Sequence, residues 1–285
     1  MSFAEIDVAA LLLRLAVLLG CIAAAGGVFF GATMPKTPAV VPVLRWQVIT
    51  GALLILLVEP LRYINFQLTL SGGDVGLAFD PSMRWVAFET AIGQSAGVRA
   101  AGALVLLVSG LRHRALSVVA AIAIVASFAV EGHTASHGGE RWLVAGLLLL
   151  HLSIAHWWLG ALLPLRAAIA SSGHTETADL FEWFGSRAAG AVGVLVIAGG
   201  LLLGLLTSWQ LDLTSPYQIA FALKLAGFAA ILGIAARNKL RWTGMLRTDP
   251  PRARTGLRRS LLIETVVAVL ILSATALVTS FPPAA

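Results

Sequence analysis

The sequence predicts an all-α, polytopic integral membrane protein, and its composition and repeated apolar runs lead to that prediction. Of its 285 residues, 58% are apolar and 12% charged, whereas about a quarter of a soluble domain is charged. Several apolar runs approach the ~20 residues that a helix needs to cross a ~30 Å hydrocarbon layer. Transmembrane β-strands would alternate in polarity, so we expect helices.

Eight apolar stretches are long enough to be interpreted as transmembrane helices. The proline-rich segment 35–42 separates the first two stretches, because proline breaks a helix. Glu89 and Arg99 interrupt the third, so its first part is either the start of a span or a lateral helix at the membrane surface. We place the eight helices at 8–33, 43–60, 85–111, 115–131, 142–166, 187–207, 217–236 and 260–280.

The distribution of Lys and Arg predicts the orientation of these helices. Basic residues concentrate in the loops that follow odd-numbered spans, above all in a predicted basic loop at 237–259. Loops rich in Lys and Arg usually face the cytoplasm. Both termini are therefore expected on the non-cytoplasmic side, and the net charge of +6 indicates topology rather than nucleic-acid binding.

A weak internal repeat suggests two four-helix halves. The separation of Arg99 from Arg112 equals that of Lys224 from Arg237, and each pair brackets an apolar run. Parallel repeats of this kind occur in membrane transporters. The transmembrane domain would then comprise residues 1–285 as a single unit.

Histidines near the outer end of the fourth predicted span indicate a metal site. Glu131, His133 and His137 lie there, and His151 lies about three turns into the fifth span. Consecutive spans are usually neighbours, so His133 and His151 could converge, and imidazole suits copper, zinc, iron and nickel. Met83 is a further candidate ligand at the same side.

Other interpretations of the histidines stay open. A histidine at a helix end is often solvated, and one inside a span can hydrogen-bond to a neighbouring helix. His156 lies five residues after His151, about 140° around the helix, so we expect it behind the first ligands or packed elsewhere. A pair of helix-borne histidines could instead hold haem b.

The remaining intramembrane polar residues are candidates for ion pairs or for gating. Arg99 and Lys224 are cations inside spans, with Glu89, Glu59 and Glu264 as prospective partners. Trp158 is expected to pack in the core, and Gly160 permits close helix contact. The chain shows none of the nucleotide-loop, hydrolase or Cys-pair motifs, so we expect neither an enzyme nor an ATP-driven pump.

Several short motifs together resemble the CopD copper-resistance family. The stretch from His151 through Trp157-Trp158 and Gly160 to Leu163 is similar to the family's fifth-span signature, and Gly132-His133 resembles its Gly-His pair. The segment Ser215-Pro-Tyr217, followed by Lys224 and Arg237-Asn238-Lys239-Leu240, resembles a later signature. The resemblance covers about residues 85–245. Gln218 replaces a family glycine, and the first span lacks a histidine that some relatives have.

The resemblance implies a bacterial inner-membrane protein that handles periplasmic copper, and the family is often described as importing it. With the orientation that the basic residues predict, both termini would lie in the periplasm. The resemblance implies His133 and His151 as ligands, and Arg99, Lys224, Trp158 and Gly160 as structural or gating positions. It also implies a separate periplasmic copper-binding partner of the CopC type. A b-type cytochrome and a non-transporting assembly factor for a copper enzyme remain alternatives, and the oligomeric state, including a homo-oligomer, stays open.

Overall fold

Every regular element of the structure is helical. The computed structural model describes residues 7–109, 111–131, 141–207 and 216–280, and no strand occurs within these ranges. In the same ranges, seven helical segments are long and apolar enough to cross a membrane. The prediction of an all-α, polytopic membrane protein is therefore confirmed.

The helices are numbered α1 to α11 in chain order. The first six are α1 (Val8–Thr33), α2 (Val41–Leu70), the short α3 (Val75–Ala78), α4 (Pro81–Glu89), α5 (Ala91–Ser109) and α6 (Arg114–Val130). The next five are α7 (Arg141–Gly160), α8 (Leu162–Ser171), α9 (His174–Thr207), α10 (Pro216–Arg237) and α11 (Pro250–Val278). A π-helical turn interrupts α1 at Ile22–Gly26, and a second, Asn238–Thr243, extends α10.

The long helices pack in chain order as four hairpins. Helix α1 packs on α2, α5 on α6, α7 on α9, and α10 on α11. One buried apolar cluster is built mainly from α1, α2, α5 and α6, and a second mainly from α7 to α11. The halves meet where α7 packs on the π-helical turn of α1, and where α11 packs on α1.

The number of spans depends on α6, which corresponds to the predicted fourth span. Helix α6 is apolar but has only 17 residues, a length of about 26 Å at 1.5 Å per residue. That length is at the short end of what crosses a hydrocarbon core. The count of eight spans stays a prediction, whereas seven helices meet the criterion of length and apolarity.

Two helix ends differ from the predicted boundaries for clear physical reasons. Helix α2 was predicted to end at residue 60 but continues through Pro60 to Leu70, where Gly72 and Gly73 adopt positive φ angles of 65° and 88°. The predicted third span is two helices, α4 and α5. Thr90 separates them with extended backbone, and its hydroxyl accepts from the Gly93 N–H at 3.2 Å.

Helices α9 and α11 both begin earlier in the chain than predicted. Helix α9 begins at His174, thirteen residues before the predicted span. Its first turns are amphipathic and bury Ala178, Leu180 and Phe181, whereas their charged residues kept them out of the predicted apolar run. The predicted basic loop 237–259 is mostly helix. Asp249 caps α11 through the Arg252 N–H, and Pro250 occupies the first turn, where a missing N–H does no harm. Most of the basic residues therefore lie on helical turns.

Candidate functional site

Helix α7 contacts α1 at a point where each helix has a glycine, Gly160 on α7 and Gly26 on α1. A Cβ added to Gly26 would lie 2.2 Å from the His156 carbonyl oxygen, and one added to Gly160 would lie 2.4 Å from the Gly26 carbonyl carbon. The two backbones are therefore in direct contact. This contact places the part of α7 that contains the histidines against the π-helical turn of α1.

Gln47 on α2 joins the same contact by hydrogen bonds to two backbone carbonyls. Its Nε2 donates to the Gly160 oxygen at 3.0 Å and to the Ala23 oxygen at 3.3 Å. The Gly160 carbonyl would normally accept from residue 164, but Pro164 has no N–H. Gln47, which is 6% exposed, supplies the missing donor and links α1, α2 and α7.

His156 is buried beside the N-terminal half. It is 2% exposed, and its ring centroid lies 6.4 Å from that of Phe128 on α6. Its Nδ1 lies 2.7 Å from the Leu152 carbonyl oxygen, which can only accept, so Nδ1 is assigned the proton. Its Nε2 is buried and has no hydrogen-bond partner among the described residues. That nitrogen therefore presents an unused lone pair.

His151 contacts the C-terminal half instead. Its Nδ1 lies 3.2 Å from the Leu195 carbonyl oxygen on α9, so the same assignment puts the proton on Nδ1. Gly199, one turn further along α9, leaves space for the ring, because a Cβ there would lie 3.0 Å from His151 Cε1. Histidine ligands of metals commonly donate their second ring N–H to a carbonyl in this way.

The structure does not bring the side chains of His151 and His156 together at one site. His151 contacts α9, whereas His156 contacts α6, so their side chains leave α7 on different sides. Within the described ranges, no group of three or more His, Cys, Asp and Glu side chains is placed to hold a metal ion. His133 and His137, predicted as outer ligands, lie outside the described residues.

A network of four charged side chains joins α2, α5 and the end of α6 in the N-terminal half. Arg99 is 0% exposed; its Nε donates to Glu59, and its Nη2 lies 2.9 Å from Glu131 Oε2. Arg62 lies 3.2 Å from Glu59 Oε2 and 2.6 Å from Glu131 Oε1. Ser95 and Ser127 accept further hydrogen bonds from Arg99. Each carboxylate is thus bound by both guanidinium groups.

This network changes the interpretation of Glu131, which was predicted as a metal ligand. Both of its oxygens accept hydrogen bonds from arginines, and Oε2 also accepts from the Ser95 hydroxyl at 2.9 Å. A metal ion would have to displace two guanidinium groups that bind the carboxylate. The geometry assigns Glu131 to holding the end of α6 against α2 and α5.

The other predicted site residues occupy varied positions. Met83 is half-buried on α4, and Glu89 is exposed at the end of that helix, away from the Arg99 network. Trp158 is 4% exposed and packs edge-on against Phe228, with ring centroids 6.3 Å apart. Trp158 therefore belongs to the core, as its sequence context indicates.

Lys224 and Glu264 occupy separate parts of the C-terminal half. Lys224 on α10 lies with its Nζ 5.7 Å from the Phe221 ring centroid. Glu264 on α11 is 3% exposed and accepts a hydrogen bond from Asn238 Nδ2. Within the described residues, neither Lys224 nor Arg99 forms an ion pair with Glu264.

Sequence reasoning missed two polar residues that the structure places at key contacts. Arg62 falls in the predicted loop between the spans 43–60 and 85–111, but it lies inside α2 and is 9% exposed. Gln47 was passed over, although a lone amide in an apolar helix is a recognisable signal for a buried hydrogen bond. The extension of α2 to Leu70 would have revealed Arg62 as an intramembrane cation.

The fold and these polar residues define a class of protein: a polytopic helical membrane protein with buried charges and with histidines between its halves. Residues 5–143 match the family model described as copper resistance protein D-like, N-terminal domain. Residues 178–278 match that of copper resistance protein D. The chain belongs to the copper resistance protein D family.

The two matched segments leave residues 144–177 between them. That interval contains His151, His156, Trp158 and Gly160, so the family matches do not themselves assign roles to these residues. No curated protein and no solved structure matches the chain. The roles of the α7 residues therefore rest on their geometry and on the short motifs in the sequence.

Proposed function

We propose that this protein binds periplasmic copper and moves it through the bacterial inner membrane towards the cytoplasm. The family is named for copper resistance, and seven helices among the described residues are long and apolar enough to span a membrane. The observation that carries the proposal is the hydrogen bonding of the two histidines on α7, His151 and His156. Both are anchored through Nδ1 to a backbone carbonyl, which leaves Nε2 as the ligand atom.

In this proposal His133 and His151 form the outer site, with His137 or Met83 as additional ligands. His156 follows as a separate position about 7.5 Å further along α7, because it is five residues away. An ion would thus move from the outer site to a position with one imidazole, His156.

The orientation belongs to the proposal as well. The turns rich in Lys and Arg, from Arg237 to Arg259, would face the cytoplasm, and both termini would face the periplasm. A soluble periplasmic copper protein of the CopC type would deliver the ion. The proposed reaction is transport, without a covalent change to a substrate.

Copper binding to the purified protein tests the ligands. We expect His133→Ala and His151→Ala each to reduce bound copper at least tenfold, because each removes a proposed ligand. His113→Ala is the matched control, since His113 is exposed at the opposite end of α6. Unchanged binding in the double variant His133→Ala/His151→Ala would rule out the outer site.

Copper entry into proteoliposomes tests transport, with a copper-sensitive dye inside the vesicles. We expect wild-type protein to admit copper and His156→Ala to slow entry while retaining copper at the outer site. Binding without entry in the wild type would favour an assembly factor. A Soret band in the spectrum of the purified protein would instead favour a b-type cytochrome.

A further inference from the structure

Glu264 and Asn238 form a buried pair that the copper path proposed above does not use. Glu264 is 3% exposed and Asn238 is 8% exposed, and Asn238 Nδ2 donates to Glu264 Oε1. The pair joins α11 to the π-helical turn that follows α10. π-Helical turns are rare and occur often at functional sites.

The surroundings of Glu264 differ from those of the other buried carboxylates. Glu59 and Glu131 each contact two arginines, whereas within the described ranges no Lys, Arg or His lies within salt-bridge distance of Glu264. An isolated carboxylate in the membrane interior is costly. Binding a proton removes that charge.

The helices packed against α11 carry few charges that could compensate. These helices are α1, α8 and α10 with its π-helical turn. Arg14 on α1 is committed to Ser280, sixteen residues beyond Glu264, at 2.6 Å. The other charged groups on these elements, none of them paired with Glu264 within the described ranges, are Arg166, Lys224, Arg237, Lys239 and Arg241.

Asn238 supplies the second, independent observation. Its Oδ1 is buried and has no hydrogen-bond partner among the described residues, although its Nδ2 already bonds to Glu264. A carboxylate can only accept, whereas a carboxylic acid also has one O–H to donate. A protonated Glu264 would therefore offer the donor that the Asn238 oxygen lacks.

The backbone of Asn238 is fixed independently of Glu264. The Thr243 hydroxyl donates to the Asn238 carbonyl oxygen at 3.0 Å, across the π-helical turn. This bond holds the backbone at Asn238, and the bond to Glu264 directs the carboxamide at α11. A fixed amide of this kind can form two parallel hydrogen bonds with a carboxylic acid.

We infer that Glu264 and Asn238 form a proton-binding site, in which Glu264 is a neutral carboxylic acid bonded reciprocally to the Asn238 carboxamide. The proton comes from water and forms an O–H bond at Glu264; its release leaves the carboxylate facing Asn238 Nδ2 alone. Glu264 lies five residues beyond Arg259, about 7.5 Å along α11, so exchange with the basic end of the bundle requires a short path.

The role of this site in transport rests on the proposed copper uptake. Inward movement of copper adds positive charge to the cytoplasm. A proton that Glu264 takes up from water at the basic, cytoplasmic end and releases to the periplasmic side would move in the opposite direction, offset part of that charge and couple copper movement to the pH difference across the membrane. The chemistry of proton binding itself does not depend on copper. The two statements can therefore be tested separately.

Infrared spectroscopy tests the protonation state directly. We expect wild-type protein at about pH 7 to show the carbonyl stretch of a buried carboxylic acid, and Glu264→Gln to lose it. Glu182→Gln is the control, because Glu182 is an exposed carboxylate paired with Arg247. Asn238→Ala should shift the frequency of the band, since it removes the hydrogen-bond partner. Loss of a carboxylate band in Glu264→Gln, with the carboxylic-acid region unchanged, would overturn the inference.

Thermal unfolding adds a second readout. Gln at position 264 can both donate to Asn238 Oδ1 and accept from its Nδ2, so we expect Glu264→Gln to keep the wild-type melting temperature at about pH 7. Glu264→Ala should lower it, because both bonds are lost. A melting temperature for Glu264→Gln as low as that of Glu264→Ala would contradict a neutral Glu264.

Copper flux into proteoliposomes tests the coupling. We expect wild-type flux to change with an imposed pH difference, and Glu264→Gln flux to lose that response while copper binding stays unchanged. A full response in Glu264→Gln would overturn the coupling role. If the wild type moves no copper, the proposed transport fails, while the infrared result still decides the proton site.

Discussion

At the scale of single residues, the burial of Arg99 is explained by its partners. Arg99 is 0% exposed, yet its guanidinium contacts Glu59, Glu131, Ser95 and Ser127. It also lies over the Phe128 ring, with Cζ 5.0 Å from the centroid. Burying a charge is tolerable only when it is paired and hydrogen-bonded in this way.

Removing Arg99 should therefore destabilise the protein strongly. Arg99→Met leaves two carboxylates with one arginine, and breaking a buried pair costs about 3–5 kcal/mol. The free energy of unfolding in detergent measures this loss. Arg45→Met is the control, because Arg45 is exposed on α2.

A charge-balanced double variant separates charge from packing. Arg99→Met/Glu59→Gln removes one charge of each sign, so we expect it to recover part of the stability lost in Arg99→Met. Equal stability of the single and double variants would indicate that lost packing, rather than an unpaired carboxylate, causes the effect.

The sequence identified some of these residues but could not assign their partners. It marked Arg99 as an intramembrane cation and included Glu59 among its candidate partners, and the structure pairs the two. It could not select Glu131 as a second partner, because that pairing depends on how α5 packs against α6, and the sequence alone does not give this packing. Glu131 looked like a ligand because histidines follow it in the chain.

At the scale of helices, the contact between α1 and α7 depends on glycines. Gly26 and Gly160 bring the two backbones together, and Gln47 bonds to the carbonyl that Pro164 leaves free. Small residues commonly permit such contacts between membrane helices. The sequence indicated close packing at Gly160, but the partner on α1 depends on the tertiary fold.

Adding a methyl group tests this contact. Gly160→Ala should destabilise the protein by about 1–3 kcal/mol or displace α7, because the new Cβ would overlap the Gly26 backbone. Gly146→Ala on the same helix is the matched control, since a Cβ there meets nothing within 4 Å. Equal melting temperatures for the two variants would contradict the contact.

The link between Gln47 and Pro164 can be measured as a coupling. Gln47→Leu should cost about 1–3 kcal/mol, because the Gly160 carbonyl loses its donor. Pro164→Ala restores an N–H in the helix, so the double variant Gln47→Leu/Pro164→Ala should lose less stability than the sum of the single changes. Additive losses would show that the two residues do not share the Gly160 carbonyl.

At the scale of the whole molecule, chain order determines most of the packing. Consecutive long helices pair as hairpins, and two apolar clusters correspond largely to the two halves. Apolar runs predicted the helical class because the hydrocarbon layer imposes their length. They could not locate helix ends outside the layer, so the charged first turns of α9 and α11 were assigned to loops.

Labelling with a membrane-impermeant maleimide tests the orientation. The native Cys21 is 0% exposed, so it should not react in the folded protein. We expect Asp74→Cys to be labelled on intact spheroplasts and Thr248→Cys only after lysis, because basic turns favour the cytoplasm. Both positions are exposed. The reverse labelling pattern would invert the proposed topology.

The four-residue network in the N-terminal half also has an electrical consequence. Two arginines and two glutamates have formal charges that sum to zero, and each charge has its counter-charge within 4 Å. Moving one net charge across 100 mV changes the energy by about 2.3 kcal/mol. If α2, α5 and α6 shift together, the network does no net work against the membrane voltage. A bundle can thus keep these four charges in its interior without making their joint movement sensitive to the membrane voltage.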